Sequence, residues 1–192
     1  MTPPTLTLIA GANGCGKSTL TKWARAFFQQ SATLDADAVA IELQAESSGK
    51  MSAIEAGKQV LRLAKQYLDK QISFSVETTL SGGTYLHMLA EAKSKGYRTC
   101  LFYIGTEKLE INIARVKARV LKGGHDVPVE DQQRRYGRSL RNLPRAMALA
   151  DECVLFDNSS ELGHRVVGLK LQERDLLLVE PVPEWAASLK NQ

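Results

Sequence analysis

The sequence predicts an α/β fold in which a parallel sheet is flanked by helices, and three observations support this prediction. A glycine-rich loop stands between an apolar strand and a helix near the start of the chain. Segments with strand and helix patterns then alternate. Acidic and hydroxyl side chains follow several of the strands, where sheets of this class bind ligands. With 192 residues, of which 44% are hydrophobic, we expect residues 1–192 to form a single domain.

The first strand runs from Thr5 to Ala10, and the helix after the loop runs from about Lys17 to Phe28. The loop itself reads GANGCGKS, a complete match to the GxxxxGK[ST] pattern. Glycines there let backbone N–H groups converge on phosphate oxygens, and the following helix presents its positive end to the same anion. We therefore predict a P-loop NTPase fold that uses ATP and Mg²⁺.

Each residue type in this loop has an expected role. Lys17 should reach the β and γ phosphates of ATP, Ser18 should bind Mg²⁺ through its hydroxyl, and Thr19 has a supporting role. Cys15 could have a lowered thiol pKa at a helix amino terminus, although an ordinary loop position is the preferred interpretation. The residues predicted from this loop to bind nucleotide are Gly11, Ala12, Asn13, Gly14, Cys15, Gly16, Lys17, Ser18 and Thr19.

The remaining elements follow from their apolar periodicity. In order, they are a strand ending near Asp35, a turn into a helix directly after it, a helix opened by a Ser52/Glu55 capping box, a strand at 72–80, a helix from about Thr84 to Lys95, a strand at 97–105, a helix from about Lys108 to Leu121, an arginine-rich helix and a strand at 153–157. A terminal hairpin and a helix in which Trp185 packs are expected at about 165–190.

Acidic and hydroxyl residues stand where the predicted strands end. Asp35 and Asp37 follow the second strand, the third ends in Glu77, Thr78 and Thr79, and the fifth ends in Asp157 and Asn158. A kinase needs such groups, because one carboxylate accepts the proton of the acceptor hydroxyl and others hold Mg²⁺ or substrate. For Asp35 and Asp157, a helix amino-terminal cap is an equally good interpretation.

The positive charge is concentrated in one segment. Seven of the twelve arginines lie between Arg115 and Arg145, where the net charge is +6, while the whole chain is only +4. Gly123 and Gly124 end one helix and Pro128 begins the next, which indicates a helix–loop–helix. We predict a mobile lid at about 115–145 whose guanidinium groups neutralise the transferred phosphoryl group and whose closure excludes water.

Most of these arginines are expected to be solvated, and at least two to point into the site. In the second helix they form a stripe of Arg134, Arg138, Arg141 and Arg145. Pro144 lacks an N–H group and is therefore expected to kink or split this helix.

Composition argues against two other kinds of partner. Outside the arginine-rich segment the chain is nearly neutral, and aromatic residues are not interleaved with the arginines, so nucleic acid is not expected to bind. No apolar run approaches the length of a membrane helix, and no secretory signal is visible. The sequence therefore predicts a cytoplasmic protein that does not bind membranes.

Five stretches together resemble the zeta-toxin-like P-loop kinases. They are GANGCGKST, LDADAVA, FSVETTLSG, RVKARVLKGGHDVP with RRYGRSLRNL, and LFDNS, in family order over most of residues 5–160. The resemblance implies an ATP-dependent phosphotransferase with an alcohol group as acceptor. Characterised members phosphorylate UDP-N-acetylglucosamine and are blocked by an antitoxin, so the resemblance implies a UDP-sugar acceptor and an antitoxin partner.

The resemblance also implies roles for individual residues. Asp37 corresponds to the general base, Glu77 to a substrate-binding acid, and Arg119, with Arg115, to lid arginines that contact the phosphates; Arg119 therefore joins the nucleotide-binding set. Lys17 and Ser18 correspond to the nucleotide and Mg²⁺ residues. A kinase for a nucleoside, a dinucleotide or an antibiotic remains an alternative, as does a regulatory nucleotide-binding ATPase. The presence of both Asp37 and Glu77 favours an acceptor pocket.

Overall fold

A computed structural model describes residues 2–23, 32–35, 53–172 and 174–191. In this part of the chain, seven strands form one sheet in the order β2-β3-β1-β4-β5-β6-β7. The strands are β1 (Thr5–Ala10), β2 (Ala32–Leu34), β3 (Phe74–Thr78), β4 (Arg98–Gly105), β5 (Glu152–Asp157), β6 (Arg165–Leu171) and β7 (Leu177–Leu178). The helices are α1 (Lys17–Trp23), α2 (Ala53–Asp69), α3 (Thr84–Ser94), α4 (Leu109–Leu121), α5 (Val129–Leu149) and α6 (Glu184–Ala187), and a 3₁₀ turn, Ser188–Asn191, follows α6.

The predicted parallel sheet is confirmed for β1 to β5, whose pairings with one another are all parallel. The terminal hairpin extends the same sheet at one edge, because β6 pairs antiparallel with β5 and β7 pairs antiparallel with β6. The connection at 158–164 is short, and a short connection can only return the chain antiparallel to the strand it leaves. The expected hairpin is therefore present as part of the main sheet.

The central strand β1 is buried on both faces, as is typical of a parallel sheet covered by helices. Leu6, Leu8 and Ile9 are all fully buried. The main core also includes Leu143 and Ala146 of α5. These contacts hold the carboxyl end of β1, and therefore the loop that follows it, in a fixed place at the centre of the sheet.

Helix α5 is a single helix of 21 residues, so of the two effects expected at Pro144 the split is wrong, and the kink stays a prediction. Leu143 and Ala146, on either side of the proline, are 1% and 0% exposed. Their burial against the sheet offsets the loss of one backbone hydrogen bond at the proline. The hydroxyl groups of Ser139 and Tyr103 of β4 are also hydrogen-bonded to each other, at 3.0 Å. Helix α5 is thus packed on the sheet, and the closing movement of residues 115–145 stays a prediction.

Some of the sequence-based expectations fall on residues outside the described ranges. These are the final turns of the first helix, the helix expected after β2 with Asp37, and Ser52 of the capping box. None of the helices in the described ranges is long and apolar enough to cross a membrane.

Candidate active site

The P-loop, residues 11–18, leaves β1 at the centre of the sheet and enters α1. Gly14 and Gly16 have φ angles of +77° and +102°, in the left-handed region that favours glycine. A Cβ atom on Gly14 would collide with the backbone of Asn112 in α4, and one on Gly16 would collide with the side-chain amide of Asn158. Glycine is needed here both for the turn and for close approach to these two neighbours.

Lys17 lies within the P-loop, where its Nζ donates to the carbonyl oxygens of Gly11, at 2.8 Å, and Ala12, at 3.1 Å. The P-loop opens onto a cleft of about 500 Å³. The predicted residues that line this cleft are Gly14, Gly16, Lys17, Ser18, Thr19, Arg115 and Arg119, and the loop at 158–163 forms its other side. The structure therefore brings most of the predicted nucleotide-binding residues to one concave surface.

The two arginines expected to contact phosphate both border this cleft. Nη1 of Arg115 donates to the backbone carbonyl of Asn158 at 2.7 Å. Nη2 of Arg119 donates to the carbonyl of His125 at 2.7 Å, while its Nε is buried and has no hydrogen-bond partner in the described structure. The stripe of Arg134, Arg138, Arg141 and Arg145 is instead exposed. Of these six arginines, Arg115 and Arg119 therefore lie at the cleft, and the four of the stripe form a solvated face of α5.

Arg135 is a cation at the P-loop that the sequence analysis did not single out. Its Nη1 lies 3.4 Å from Oδ1 of Asn13, and its Nη2 lies 3.5 Å from a carboxylate oxygen of Asp131. Arg134 belongs to the predicted stripe and is exposed, whereas its neighbour Arg135 faces the P-loop. The only sequence signal was the general excess of arginine, because the contact joins residues 122 positions apart.

Glu77 points from β3 towards the start of α1. Its Oε2 accepts a hydrogen bond from the Ser18 hydroxyl at 3.1 Å, and its Oε1 accepts one from the Thr21 hydroxyl at 2.8 Å. Burial, and then the negative charge of Asp35, raise the pKa of Glu77; the Thr21 hydrogen bond, Lys17 and the Ser18 hydrogen bond oppose the shift only in part. The carboxylate assigned to substrate therefore lies against the predicted Mg²⁺ residue.

The two threonines after Glu77 differ in their surroundings. Thr78 is buried, and its Oγ1 accepts a hydrogen bond from the backbone N–H of Leu80 at 3.0 Å. Its backbone carbonyl accepts a hydrogen bond from Gly11 N–H at 3.2 Å. Thr79 is half-buried and shares a hydrogen bond with Ser81 at 2.9 Å. Of the two hydroxyls, that of Thr79 is the more accessible to a substrate.

The oxygen donors at this place fit a magnesium ion. The Ser18 hydroxyl and the Glu77 carboxylate are in contact, and the charge of Asp35 is close enough to raise the pKa of Glu77. Within the described ranges no group of three or more His, Cys, Asp or Glu residues could form a metal cage. Mg²⁺ in phosphoryl-transfer sites needs only one or two carboxylates beside the phosphates, so Ser18 and Glu77 match its requirements.

Asp157 and Asn158 differ from their sequence interpretation. Asp157 is buried and accepts hydrogen bonds from Trp185 and Ser159, so it is neither an exposed cleft acid nor a helix cap. Nδ2 of Asn158 donates to the carbonyl of Cys15 at 2.8 Å. The residue of this pair that contacts the P-loop is therefore Asn158.

Cys15 is a buried thiol. It is 1% exposed, and burial raises its thiol pKa despite the nearby positive charge of Lys17. The ordinary interpretation of this cysteine is therefore favoured, since a reactive cysteine requires a lowered pKa and exposure.

His164 also reaches the P-loop, and the sequence analysis missed it. Its Nε2 lies 3.1 Å from the Gly16 carbonyl, and its ring stands edge-on to that of Phe156. Burial lowers the pKa of His164, and the charge of Arg115 lowers it further. The neutral imidazole then donates from Nε2, because a carbonyl oxygen can only accept.

A second cleft, of about 850 Å³, lies at the amino-terminal ends of β4 and β5. Five of its charged residues have partners: Arg98 pairs with Glu152 at 2.5 Å, Lys93 pairs with Asp151 at 2.8 Å, and Lys170 donates to two carbonyls at the end of α5. Catalytic groups of parallel α/β sheets lie at the opposite ends of the strands. We therefore assign the chemistry to the P-loop cleft.

The sheet order, the P-loop at the end of its central strand and the arginines beside it define a protein with the fold of P-loop kinases. The model of the zeta toxin family matches residues 2–162, which is most of the chain. This protein therefore belongs to the zeta toxin family, and the resemblance found in the sequence is confirmed. Elements β6, β7 and α6 lie beyond the matched region.

Several known proteins are similar to this chain. An uncharacterized protein of Haemophilus influenzae is 36% identical over 128 residues, which are 66% of this chain and 88% of that protein. A structure of AvrRxo1-ORF1:-ORF2 with ATP matches with a TM-score of 0.71 at 18% identity, covering 88% of this chain and 59% of that chain. The PezAT toxin–antitoxin system of Streptococcus pneumoniae matches with a TM-score of 0.58 at 21% identity, covering 81% and 68%. At these identities the two structures show the fold alone, and this chain spans less than two thirds of the AvrRxo1 chain.

Proposed function

We propose that this protein is an ATP-dependent kinase that transfers the γ-phosphoryl group to a hydroxyl of a small molecule, with a nucleotide-sugar such as UDP-N-acetylglucosamine as the first acceptor to test. One observation carries the proposal. The P-loop cleft is lined by Lys17, Arg115 and Arg119 together with Ser18, whose hydroxyl donates to the Glu77 carboxylate. Such a site can hold the phosphates at its cations and an acceptor hydroxyl near the carboxylate.

In this proposal the P-loop and its neighbours provide binding and charge stabilisation. Bound Mg²⁺-ATP supplies the phosphoryl group to be transferred, and the metal neutralises part of its charge. The backbone N–H groups of residues 11–18 and the Lys17 ammonium bind the phosphates, while Ser18 and Glu77 would hold the metal. Arg115 and Arg119 stabilise the negative charge that spreads over the phosphoryl oxygens in the transition state.

We propose Asp37 as the general base, although it lies outside the described residues. It would accept the proton of the acceptor hydroxyl while the new O–P bond forms and the bond to the ADP leaving group breaks. Asp35, two positions earlier in the sequence, is close enough to Glu77 to raise its pKa, and this supports the assignment. Glu77 and the more accessible hydroxyl of Thr79 would contact the acceptor, whereas Thr78, which is buried and accepts the Leu80 N–H, would only hold this strand end in place.

A protein partner is also part of the proposal. PezAT is a toxin–antitoxin system, and AvrRxo1-ORF1 was crystallised together with ORF2. By extension from these relatives, we propose that an antitoxin-type protein binds this chain and covers the nucleotide cleft. The reaction and its inhibition would both take place in the cytoplasm.

The proposal is tested by measuring ADP release from Mg²⁺-ATP across a panel of UDP-sugars, nucleosides, dinucleotides and antibiotics, with mass spectrometry of the products. We expect one acceptor class to be phosphorylated by the wild type and by Arg138→Ala, a control on the exposed face of α5. Lys17→Ala and Asp37→Asn should abolish the product.

Two results would contradict the proposal. Acceptor-independent ATP hydrolysis that survives Asp37→Asn would indicate a regulatory ATPase. A wild-type protein that neither binds nor consumes ATP would exclude the kinase altogether.

A further inference from the structure

The C-terminal turn, residues Glu184–Asn191, lies beyond the region matched by the zeta toxin family and contacts the ends of two central strands. Nε1 of Trp185 donates to Oδ1 of Asp157, at the end of β5, at 3.0 Å. The hydroxyl of Ser159 donates to the same carboxylate oxygen at 2.6 Å. The Asp157 carboxylate thus joins the turn to the loop that follows β5.

Further hydrogen bonds close this arrangement into a ring. The backbone N–H of Glu107, just after β4, donates to the Ser159 hydroxyl at 2.8 Å. The carboxylate of Glu107 in turn accepts the backbone N–H of Glu184 at 3.0 and 3.2 Å. The ring therefore connects the ends of β4 and β5 with the first turn of α6.

Packing determines where the indole of Trp185 lies. The side chain is 9% exposed, and its ring lies so close to Gly105 that a Cβ atom at that position would overlap it. The ring of Tyr103 packs against the indole at a tilt of 46°, with the ring centroids 5.7 Å apart. The indole N–H is the one polar group of this side chain, and Asp157 satisfies it. Movement of Trp185 would therefore leave the buried Asp157 carboxylate without one of its donors.

Asn158, the residue after Asp157, connects this ring of hydrogen bonds to the nucleotide site. Nδ2 of Asn158 donates to the carbonyl of Cys15 in the P-loop, at 2.8 Å. The backbone carbonyl of Asn158 accepts the Arg115 guanidinium at 2.7 Å, and its N–H donates to Gly105 at 3.0 Å. A displacement at Asp157 is thus transmitted over one peptide unit to both the P-loop and a cleft arginine.

The bond to Cys15 also orients a phosphate-binding group. The carbonyl of Cys15 and the N–H of Gly16 belong to one planar trans peptide unit, so they point in opposite directions. When Asn158 holds the carbonyl, the N–H of Gly16 is directed away from Asn158. In a P-loop, backbone N–H groups of this kind bind the phosphate oxygens.

We propose that Trp185 is a positioning residue for nucleotide binding. Through Asp157 it holds Asn158 in the place from which Asn158 orients the Cys15–Gly16 peptide and the Arg115 guanidinium. This inference rests on the proposed function, because it requires that the P-loop binds nucleotide. It gives the C-terminal turn, which lies outside the matched family region, a role in the nucleotide site.

The test is a double-mutant cycle read by calorimetric titration with Mg²⁺-ADP. Trp185→Phe keeps an aromatic ring and removes the N–H group, while Asn158→Ala removes the bond to Cys15. Only part of the effect of losing this hydrogen bond to a charged group should reach the P-loop, so the Kd for Mg²⁺-ADP should rise roughly 3- to 10-fold in Trp185→Phe. Asn158→Ala should raise it at least as much, and the two effects should be less than additive in free energy in the double variant, because the Arg115 bond to the Asn158 backbone carbonyl remains in Asn158→Ala. Trp23→Phe, at a side chain that is 81% exposed, should bind as the wild type does.

The possible outcomes separate this inference from the proposed function. A wild-type chain that does not bind Mg²⁺-ADP overturns the proposed function and the inference with it. Normal wild-type binding with an unchanged Kd in Trp185→Phe, or additive effects in the double variant, overturns only the inference. If Trp185→Phe does not fold, Glu107→Ala serves instead, because it removes the carboxylate that accepts the Glu184 N–H and so breaks the same ring of hydrogen bonds at an exposed position. Glu107→Ala is then expected to raise the Kd for Mg²⁺-ADP. An unchanged Kd in this variant overturns the inference.

Discussion

At the scale of single residues, Glu77 has a position that favours function and opposes stability. Its ordinary pKa is 4.5, and burial together with Asp35 raises it in the folded protein. The folded state therefore holds the proton more tightly than the unfolded state does. Below the pKa that Glu77 has in the unfolded chain, its ionisation does not reduce the free energy of unfolding. As the pH rises through the higher pKa of the folded protein, the carboxyl group ionises in its buried place, and the free energy of unfolding falls.

Glu77→Gln should consequently be more stable than the wild type at pH 8, by up to about 1 kcal/mol in the free energy of unfolding. The gain should shrink at pH 5, because more of the wild-type carboxyl is then protonated, and phosphoryl transfer should be lost. Urea unfolding at the two pH values measures both gains. An equal gain at pH 5 and pH 8 would show that ionisation of Glu77 is not the cause.

The cysteines allow a second prediction at this scale. Cys15, Cys100 and Cys153 are all buried; burial raises the pKa of Cys15 and raises those of Cys100 and Cys153 to about 12. We expect iodoacetamide at pH 7.5 to leave the native protein unmodified and to add three groups in denaturant, as counted by intact mass. Rapid modification of native Cys15 would contradict the buried environment.

At the scale of elements, helices α4 and α5 contribute to the site from different faces. Helix α4 supplies Arg115 and Arg119 to the cleft, and α5 supplies Arg135 to Asn13 of the P-loop. The remaining arginines of α5 form its solvated face, opposite the buried Leu143 and Ala146. The helical period thus assigns neighbouring arginines to different surroundings.

Arg135→Ala should lower kcat/KM for ATP about tenfold, the usual effect of losing a hydrogen bond to a charged group. Arg138→Ala, three positions along the same helix and exposed, should stay within about twofold of the wild type. Steady-state kinetics with ATP as the varied substrate make the comparison. Equal losses in the two variants would mean that Arg135 acts only through the general positive field of the helix.

At the scale of the whole molecule, hydrogen bonds connect the P-loop to elements throughout the sheet. The loop bonds to the end of β3 through Gly11, to the loop after β5 through Cys15, and to α5 through Asn13. Nucleotide bound there would stabilise these elements together. Its effect should therefore appear as a shift of one unfolding transition for the whole domain.

Mg²⁺-ADP at about 100 times its Kd should raise the free energy of unfolding by about 2.7 kcal/mol. Lys17→Ala should reduce or remove this gain at the same ligand concentration, since the ammonium that binds the phosphates is missing. Scanning calorimetry with and without ligand measures the shift. A ligand-induced shift that is unchanged in Lys17→Ala would place the nucleotide elsewhere.

Much of the fold was predictable because its signals are local. The apolar periods of strands and helices, the glycines of the P-loop and the alternation of elements each depend on residues within a few positions of one another. They were sufficient to predict the parallel sheet and the P-loop beside Lys17 and Ser18. Pro144 shows the limit of local reasoning, because packing around Leu143 and Ala146 maintains α5 through a residue that would divide an isolated helix.

By itself, then, the sequence determined the class of fold, the phosphate-binding loop and the membership of the zeta toxin family. The tertiary structure alone decided that Glu77 contacts Ser18, that Arg135 rather than Arg134 reaches Asn13, and that Trp185 is bonded to Asp157 beneath the site. The physical reason is distance along the chain. The Asn158–Cys15 bond joins residues 143 positions apart, and such a contact exists only after the sheet has brought the ends of its strands together.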